Sequence, residues 1–393
     1  MDTKNAESFT FGLFAMVITH TLVHAAGNIR GTLYPILKDE FVMTNQQIGI
    51  IAAIPPLAQA LLSIPAGSMS DRYGAKKLVA LSIGMAAIGA IIAGFTLNPW
   101  MYIVAATLLT LNSTIYHPPA HSFTARIVGV KDRAKAMGIL NAGGTFGVAV
   151  GPLSITILMG WLAFTWRQLY LFWVTPILLG LVLLYFVRTE PSREMNKDIP
   201  NMPAEEETVS LLSRDFLLYI SSRGVRMFAM SMVGAFLSIY LTEIRSWSVS
   251  EIGIMFGSSS LLGLAASPIG GIIASRVGEK RWAVLTFILG YACFFAAFFT
   301  KGVYPFMALY LSYRFSGILS MPAMAAITAR LSPPRQMGMG YALSFMPESI
   351  TGVIAPIVAA WLADFYGLFS IFMVATAVMY LSILILQMGV RIN

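Results

Sequence analysis

The stretch GSMSDRYGAKK at residues 67–77 returns, partly altered, as GIIASRVGEKR at residues 271–281. The copies stand 204 positions apart, so that Gly67 pairs with Gly271, Arg72 with Arg276, Gly74 with Gly278 and Lys76 with Lys280. The offset also holds outward from them: Gly49 pairs with Gly253, Pro118 with Pro322, the run Thr124, Ala125, Arg126 with Thr328, Ala329, Arg330, and Pro152 with Pro356. Chance likeness between apolar segments gives scattered matches, not one offset kept through separate segments, so the chain reads as a duplicated unit. Parallel repeats about an axis along the membrane normal are an architecture of transporters.

The sequence around these copies is apolar. Of 393 residues, 57% are hydrophobic and 11% charged, against about 45–50% and about 25% in soluble domains. Cutting at charges and Gly/Pro clusters gives twelve apolar runs, starting near Phe9, Gln46, Lys77, Trp100, Ala134, Trp166, Phe216, Ser250, Arg281, Tyr304, Gln336 and Tyr366. Each is long enough to cross about 30 Å of hydrocarbon. A soluble enzyme is excluded, and no nucleophile, base and orienting acid can be assembled within the spans, so no enzymatic activity is expected. The net charge of +8 lies in short loops and forms no stripe, which reads as membrane topology and not as a nucleic-acid surface. Cys293, the single cysteine, sits inside an apolar run, so neither a disulfide framework nor a cysteine metal motif is expected. The run near Phe9 has no small-residue cleavage site after it and reads as a retained span.

With the amino terminus inside, eighteen Lys and Arg residues fall in inside segments and only Lys38, Arg167, Arg245 and Lys301 in outside loops. That asymmetry puts both termini in the cytoplasm of a cell (plasma or inner) membrane. Residues 188–215 hold 11 of the 44 charges, with several prolines and the run Glu205, Glu206, Glu207. The expected organisation is therefore an N-terminal six-helix bundle at 1–189, a cytoplasmic linker at 190–215 and a C-terminal six-helix bundle at 216–393.

The loop between the second and third spans, with Gly67, Asp71, Arg72, Gly74, Lys76 and Lys77, resembles the loop signature of the major facilitator superfamily. The resemblance implies an all-α membrane fold of twelve helices in two bundles related by a pseudo-two-fold axis. It also implies a conformational latch at this loop. Asp71 can sit at a helix N-terminus, where the dipole favours a carboxylate, while the basic residues reach carbonyl ends or acids of the other half. Positive-inside anchoring is the plainer role for Lys76 and Lys77. The second copy carries Ser275 in place of the acid. In the fifth span, Gly138, Gly147, Gly151 and Pro152 stand at the spacing of the superfamily's antiporter motif, with Ile155 and Thr156 where its trailing glycines would be; helix packing is the alternative role. More narrowly, YHPPAHSFTAR in the fourth span followed by the glycine-rich fifth is similar to fosmidomycin-resistance-type exporters. Pro119 replaces the glutamate of their His-Pro-Glu element, and His24 stands near their first-span acid.

The ionisable residues left inside the spans are Arg30, Arg223, Arg226, Arg314, Glu348 and all four histidines, His20, His24, His117 and His121. On insertion scales an Arg near the bilayer centre costs about 2.5–3.5 kcal/mol, so four without a purpose would cost about 10 kcal/mol. Helical rise places Arg226 and Arg314 about 15 Å deep and Arg223 about 10 Å deep. In the superfamily, the first, fourth, seventh and tenth spans line the central cavity, and only Glu348 lies elsewhere. Four Arg against one Glu favour an anionic guest, for which the guanidinium fork is suited. An ion pair with Glu348 is the structural alternative for Arg226 and Arg314, and snorkelling is that for Arg30. Tyr310, one turn from Arg314, either shapes the pocket or packs.

The histidines form two i, i+4 pairs. Depth suggests that His20 and His117 meet, with His24 and His121 diverging, and these imidazoles, or Glu348, are the candidates for proton coupling. The interruption by Pro118 and Pro119, the lack of a nearby thiolate and the arginines speak against a metal, and no cofactor is implied. The sequence thus leads to a monomeric secondary transporter that moves a small organic anion or amphiphilic drug by alternating access, with proton-coupled efflux favoured. A multidrug cation exporter, anion uptake or exchange, and a membrane receptor or sensor are the alternatives.

Overall fold

The computed structural model describes residues 3–127, 133–187, 210–333 and 337–391. Among these residues fourteen α-helices make twelve passes: α1 (Thr3–Gly27), α2 (Arg30–Glu40), α3 (Asn45–Tyr73), α4 (Ala75–Gly94), α5 (Pro99–Ile127), α6 (Arg133–Ser154), α7 (Trp166–Phe186), α8 (Arg214–Glu243), α9 (Val249–Val277), α10 (Glu279–Ala297), α11 (Val303–Leu319), α12 (Met321–Arg330), α13 (Met337–Tyr366) and α14 (Leu368–Gly389). Among the described residues nine spans are long and apolar enough to cross a membrane on length and composition alone. Two passes are broken, α1–α2 and α11–α12. At the first break the Asn28 amide donates to the His24 carbonyl (2.8 Å), a local bond that competes with the helix ladder. The fifth pass ends in a π-helical segment, Ile155–Trp161, just beyond Pro152, which has no N–H to offer the ladder.

The duplication is visible in backbone detail. Gly74 (φ 85°) and Gly278 (φ 98°), 204 residues apart, both start a helix from the left-handed region that only glycine enters freely. Lys76 Nζ donates to the carbonyls of Tyr185 (3.0 Å) and Val187 (2.6 Å). Its counterpart Lys280 donates to those of Gln387 (2.9 Å) and Val390 (2.6 Å). Each lysine therefore serves the orphan carbonyls at the end of its own bundle's last helix. Lys76 thus reaches carbonyl ends as expected, but those of its own half and not of the other. Lys77 is exposed; Gly67, Asp71 and Arg72 lie in helix α3, but their surroundings fall outside the described residues, as do residues 190–209 of the expected linker. We expect Lys76→Ala and Lys280→Ala each to lower stability by about 1 kcal/mol and the pair by about 2, measured by thermal unfolding in detergent.

The two bundles meet along α3 against α13 and α6 against α9. A Cβ on Gly49 would stand 2.9 Å from the Pro356 carbonyl, and one on Gly253 would stand 2.7 Å from the Pro152 carbonyl. These contacts are images of one another under the 204 offset, as a two-fold axis between the bundles requires. The end away from the linker is closed by polar bonds between bundles. Lys38 pairs with Glu243 (2.6 Å), Asn45 and Gln46 donate to Asp364 (2.9 and 3.2 Å), and Ser238 donates to the Gly31 carbonyl (2.6 Å). Thr156, standing where the motif's trailing glycine would be, donates to the Ser250 carbonyl (2.9 Å).

Candidate functional site

The second bundle holds three arginines, Arg223, Arg226 and Arg314, that form no ion pair among the described residues. Arg226 on α8 is 9% exposed, and the Nε atoms of Arg223, Arg226 and Arg314 are buried without a hydrogen-bond partner. Glu348, on α13, is exposed and within electrostatic reach of Arg223. Among the described residues it forms no ion pair with any of them. The ion-pair alternative for Arg226 and Arg314 therefore has no support in the geometry.

Aromatic rings support two of these cations. The Arg226 guanidinium lies 4.8 Å from the centroid of Phe287, and Arg223 lies 4.8 Å from that of Phe345. A cation over a ring face is attracted by the ring quadrupole while its N–H edge stays free to donate. Phe287 stacks on Tyr291 at 5.6 Å, and Tyr291 meets Tyr313 at 6.4 Å. Tyr313 packs on Tyr310 at 5.8 Å. Arg226 lies against this aromatic shelf through Phe287, and Arg314 follows Tyr313 directly on α11; both cations are within electrostatic reach of Tyr313. Tyr310 is buried in the shelf and packs between Phe306 and Tyr313. Sequence reasoning missed Phe287, Tyr291 and Tyr313; the i, i+4 spacing of Phe287 and Tyr291 was their one signal.

Arg30 begins α2 and does not lie near the end of its span, which runs on to Glu40. Its side chain donates to Thr110 Oγ1 on α5 (2.7 Å). It is held across the first bundle and does not snorkel outward. An open recess of about 700 Å³ lies at the closed end, lined by Pro35, Lys38, Asp39, Thr242 and Glu243 among others, away from the arginines.

The histidines gather in the first bundle. His20 and His117 rings are 5.1 Å apart, and His24 lies 4.8 Å from His20 and 5.2 Å from His117. The expected divergence of His24 is thus corrected: one helical turn on α1 keeps it within side-chain reach. His121 stacks on His117 at 5.9 Å, and its Nδ1 lies 3.4 Å from Met137 Sδ. Pro118 and Pro119 do not interrupt the pair, because α5 runs through both. Membrane helices tolerate proline where neighbours satisfy the freed carbonyls.

The glycines of α6 make room for this cluster. A Cβ on Gly144 would stand 2.7 Å from His20 Nε2, and His20 Nδ1 lies 2.7 Å from the Leu140 carbonyl. Gly147 and Gly151 pack on the Thr21 and Ala25 carbonyls of α1. Gly138 meets nothing within 4 Å; Gly143, which the motif reading passed over, touches Val17 and Thr21 instead. Pro152 is buried, its carbonyl against Gly253.

The sequence profile of the Major Facilitator Superfamily matches residues 16–223 and again residues 219–391. The chain belongs to this superfamily. It is 25% identical over 367 residues to the fosmidomycin resistance protein of Escherichia coli (strain K12), covering 90% of this chain and 88% of that one. It is 24% identical over 264 residues to the cis,cis-muconate transport protein of Acinetobacter baylyi, covering 65% and 62%. A solved structure of a bacterial homolog of the human lysosomal transporter Spinster, inward-facing and occupied, superposes with a TM-score of 0.82 at 15% identity, over 97% of this chain and 96% of that one. The family and the fold are those of multi-pass membrane transporters, which move small molecules.

Proposed function

We propose that this superfamily member is a secondary transporter for a small organic anion, or an amphiphilic drug with an anionic head group, working by alternating access. The observation that carries the reading is the pair Arg226, buried, and Arg314, half-buried, whose Nε atoms have no hydrogen-bond partner, which both lie within electrostatic reach of Tyr313 and which form no ion pair among the described residues. A buried guanidinium left unpaired is costly, and an oxyanion accepting its fork of donors removes the cost. The spans of the first bundle carry no carboxylate between α1 and the outer end of α2 or within α4 to α7, which disfavours a cation exporter. The relatives named for fosmidomycin resistance and cis,cis-muconate transport support drug or organic-acid cargo.

In this reading the linker and both termini face the cytoplasm of a bacterial inner membrane, residues 1–189 and 216–393 move as two units about 190–215, and a monomer suffices. The Lys38–Glu243 pair then closes the outer end and breaks in each cycle. Export driven by the proton gradient is the direction and coupling proposed. The test is counterflow in proteoliposomes, with panels of organic anions and organic cations, and with and without an imposed pH gradient. Saturable exchange of an anion, accumulated further by the pH gradient, is expected. Exchange of cations alone would overturn the substrate class, and ligand binding without any transport would favour a receptor.

A further inference from the structure

We infer that His20, His24 and His117 form a binding site for one divalent late transition-metal ion of the zinc class. The inference goes beyond the transport reading and does not depend on which solute is carried. One ligand nitrogen from each of the three lies within 4.8 Å of the others. Bonds of about 2.0–2.1 Å around a tetrahedral zinc place imidazole nitrogens about 3.3 Å apart. Side-chain rotation closes that gap, because His20 and His24 share one face of α1 and His117 faces them from α5.

His20 is already arranged as a ligand. A carbonyl only accepts, so the 2.7 Å contact with Leu140 O places the proton on Nδ1. That leaves a lone pair on Nε2, which is buried without a partner in a side chain 2% exposed. Metal-bound histidines usually donate their second ring N–H to a carbonyl or carboxylate, which fixes the tautomer and the ring. His117 is held similarly, with Ser113 Oγ 3.3 Å from its Nε2. Imidazole without carboxylates suits zinc, copper or nickel and disfavours magnesium or calcium. Three histidines leave a fourth position open for water or an anion. An ion on Nε2 also excludes a proton there, so it competes with any role of this imidazole in proton transfer. His121, turned to Met137 Sδ, stands outside the set.

The test uses the full chain, purified in detergent through a tag free of histidine, titrated with Co²⁺ and separately with Zn²⁺. We expect one saturable equivalent, the visible absorption of four-coordinate Co²⁺ and a rise in unfolding temperature with Zn²⁺. His24→Ala and His117→Ala should each weaken binding by at least about tenfold to 100-fold, the range seen even for loss of an outer-shell partner, while His121→Ala leaves it unchanged. Absence of saturable binding in the parent protein, retention of it in the His24→Ala, His117→Ala double variant, or equal loss in His121→Ala would each overturn the inference. If the alanine variants do not fold, X-ray absorption on the zinc-loaded parent decides: three imidazoles support the site and fewer contradict it. Counterflow of the organic-anion panel is scored separately, so failure of the metal site and failure of the transport reading are distinguishable.

Discussion

Replacing Arg226 and Arg314 together by alanine is expected to weaken binding of the transported anion by about 100- to 1,000-fold and to leave the empty protein at least as stable as the parent. Each guanidinium contributes charge-assisted hydrogen bonds worth about 1.5–3 kcal/mol apiece, where about 1.4 kcal/mol is tenfold in affinity. The single Lys variants keep the charge and lose the planar fork, so each should cost about tenfold. The stability arm separates a binding residue from a structural one. Breaking a buried ion pair destabilises by several kcal/mol because it strands the partner. Arg226 has no such partner among the described residues, so its removal relieves a desolvation cost. Thermal unfolding of the ligand-free variants, beside isothermal titration of the anion, checks both arms. A variant that unfolds early and binds normally would show the arginines to be structural.

The second large effect is expected at the α1–α6 contact. Gly147→Val should destabilise the first bundle by about 3 kcal/mol, at the upper end for overpacking, because the new Cβ collides with the Thr21 carbonyl. Backbone cannot yield as a side chain can, and α1 is pinned from its other side by the Tyr116 hydroxyl donating to the Met16 carbonyl (2.7 Å). Gly151→Val should behave alike, against Ala25. Gly138→Ala, although in the same motif, has open space around it and should stay within about 0.5 kcal/mol of the parent. Equal effects at Gly138 and Gly147 would mean that the glycines serve something other than close packing.

How far the sequence leads depends on which physical signal each feature leaves. Duplication was legible because Gly74 and Gly278 answer to a backbone conformation, and Lys76 and Lys280 to helix-end carbonyls, in both copies. The breaks at Asn28 and at Ser320, between α11 and α12, were not, since the Asn28 amide bonded back to His24 and the Ser320 hydroxyl bonded back to the Gly317 carbonyl look the same in sequence as groups facing a cavity. Arginines inside apolar spans announce themselves by their cost. Tyr291 and Tyr313, which build the shelf between them, do not, because an aromatic in an apolar run has no cost to explain. Depth arithmetic brought His20 to His117 but carried no information on side-chain reach, so it separated His24 from a cluster it joins. Glu348 shows the limit of charge pairing: the ion pair that opposite charges in neighbouring spans left open as the alternative for Arg226 and Arg314 is not formed among the described residues.

The most direct measurement is an experimental structure of the chain with the anion that counterflow identifies. The account predicts its head group about 2.7–3.0 Å from guanidinium nitrogens of Arg226 and Arg314, beside Tyr313. A head group seated elsewhere, at Arg30 or among the histidines, with Arg226 and Arg314 untouched, would contradict it.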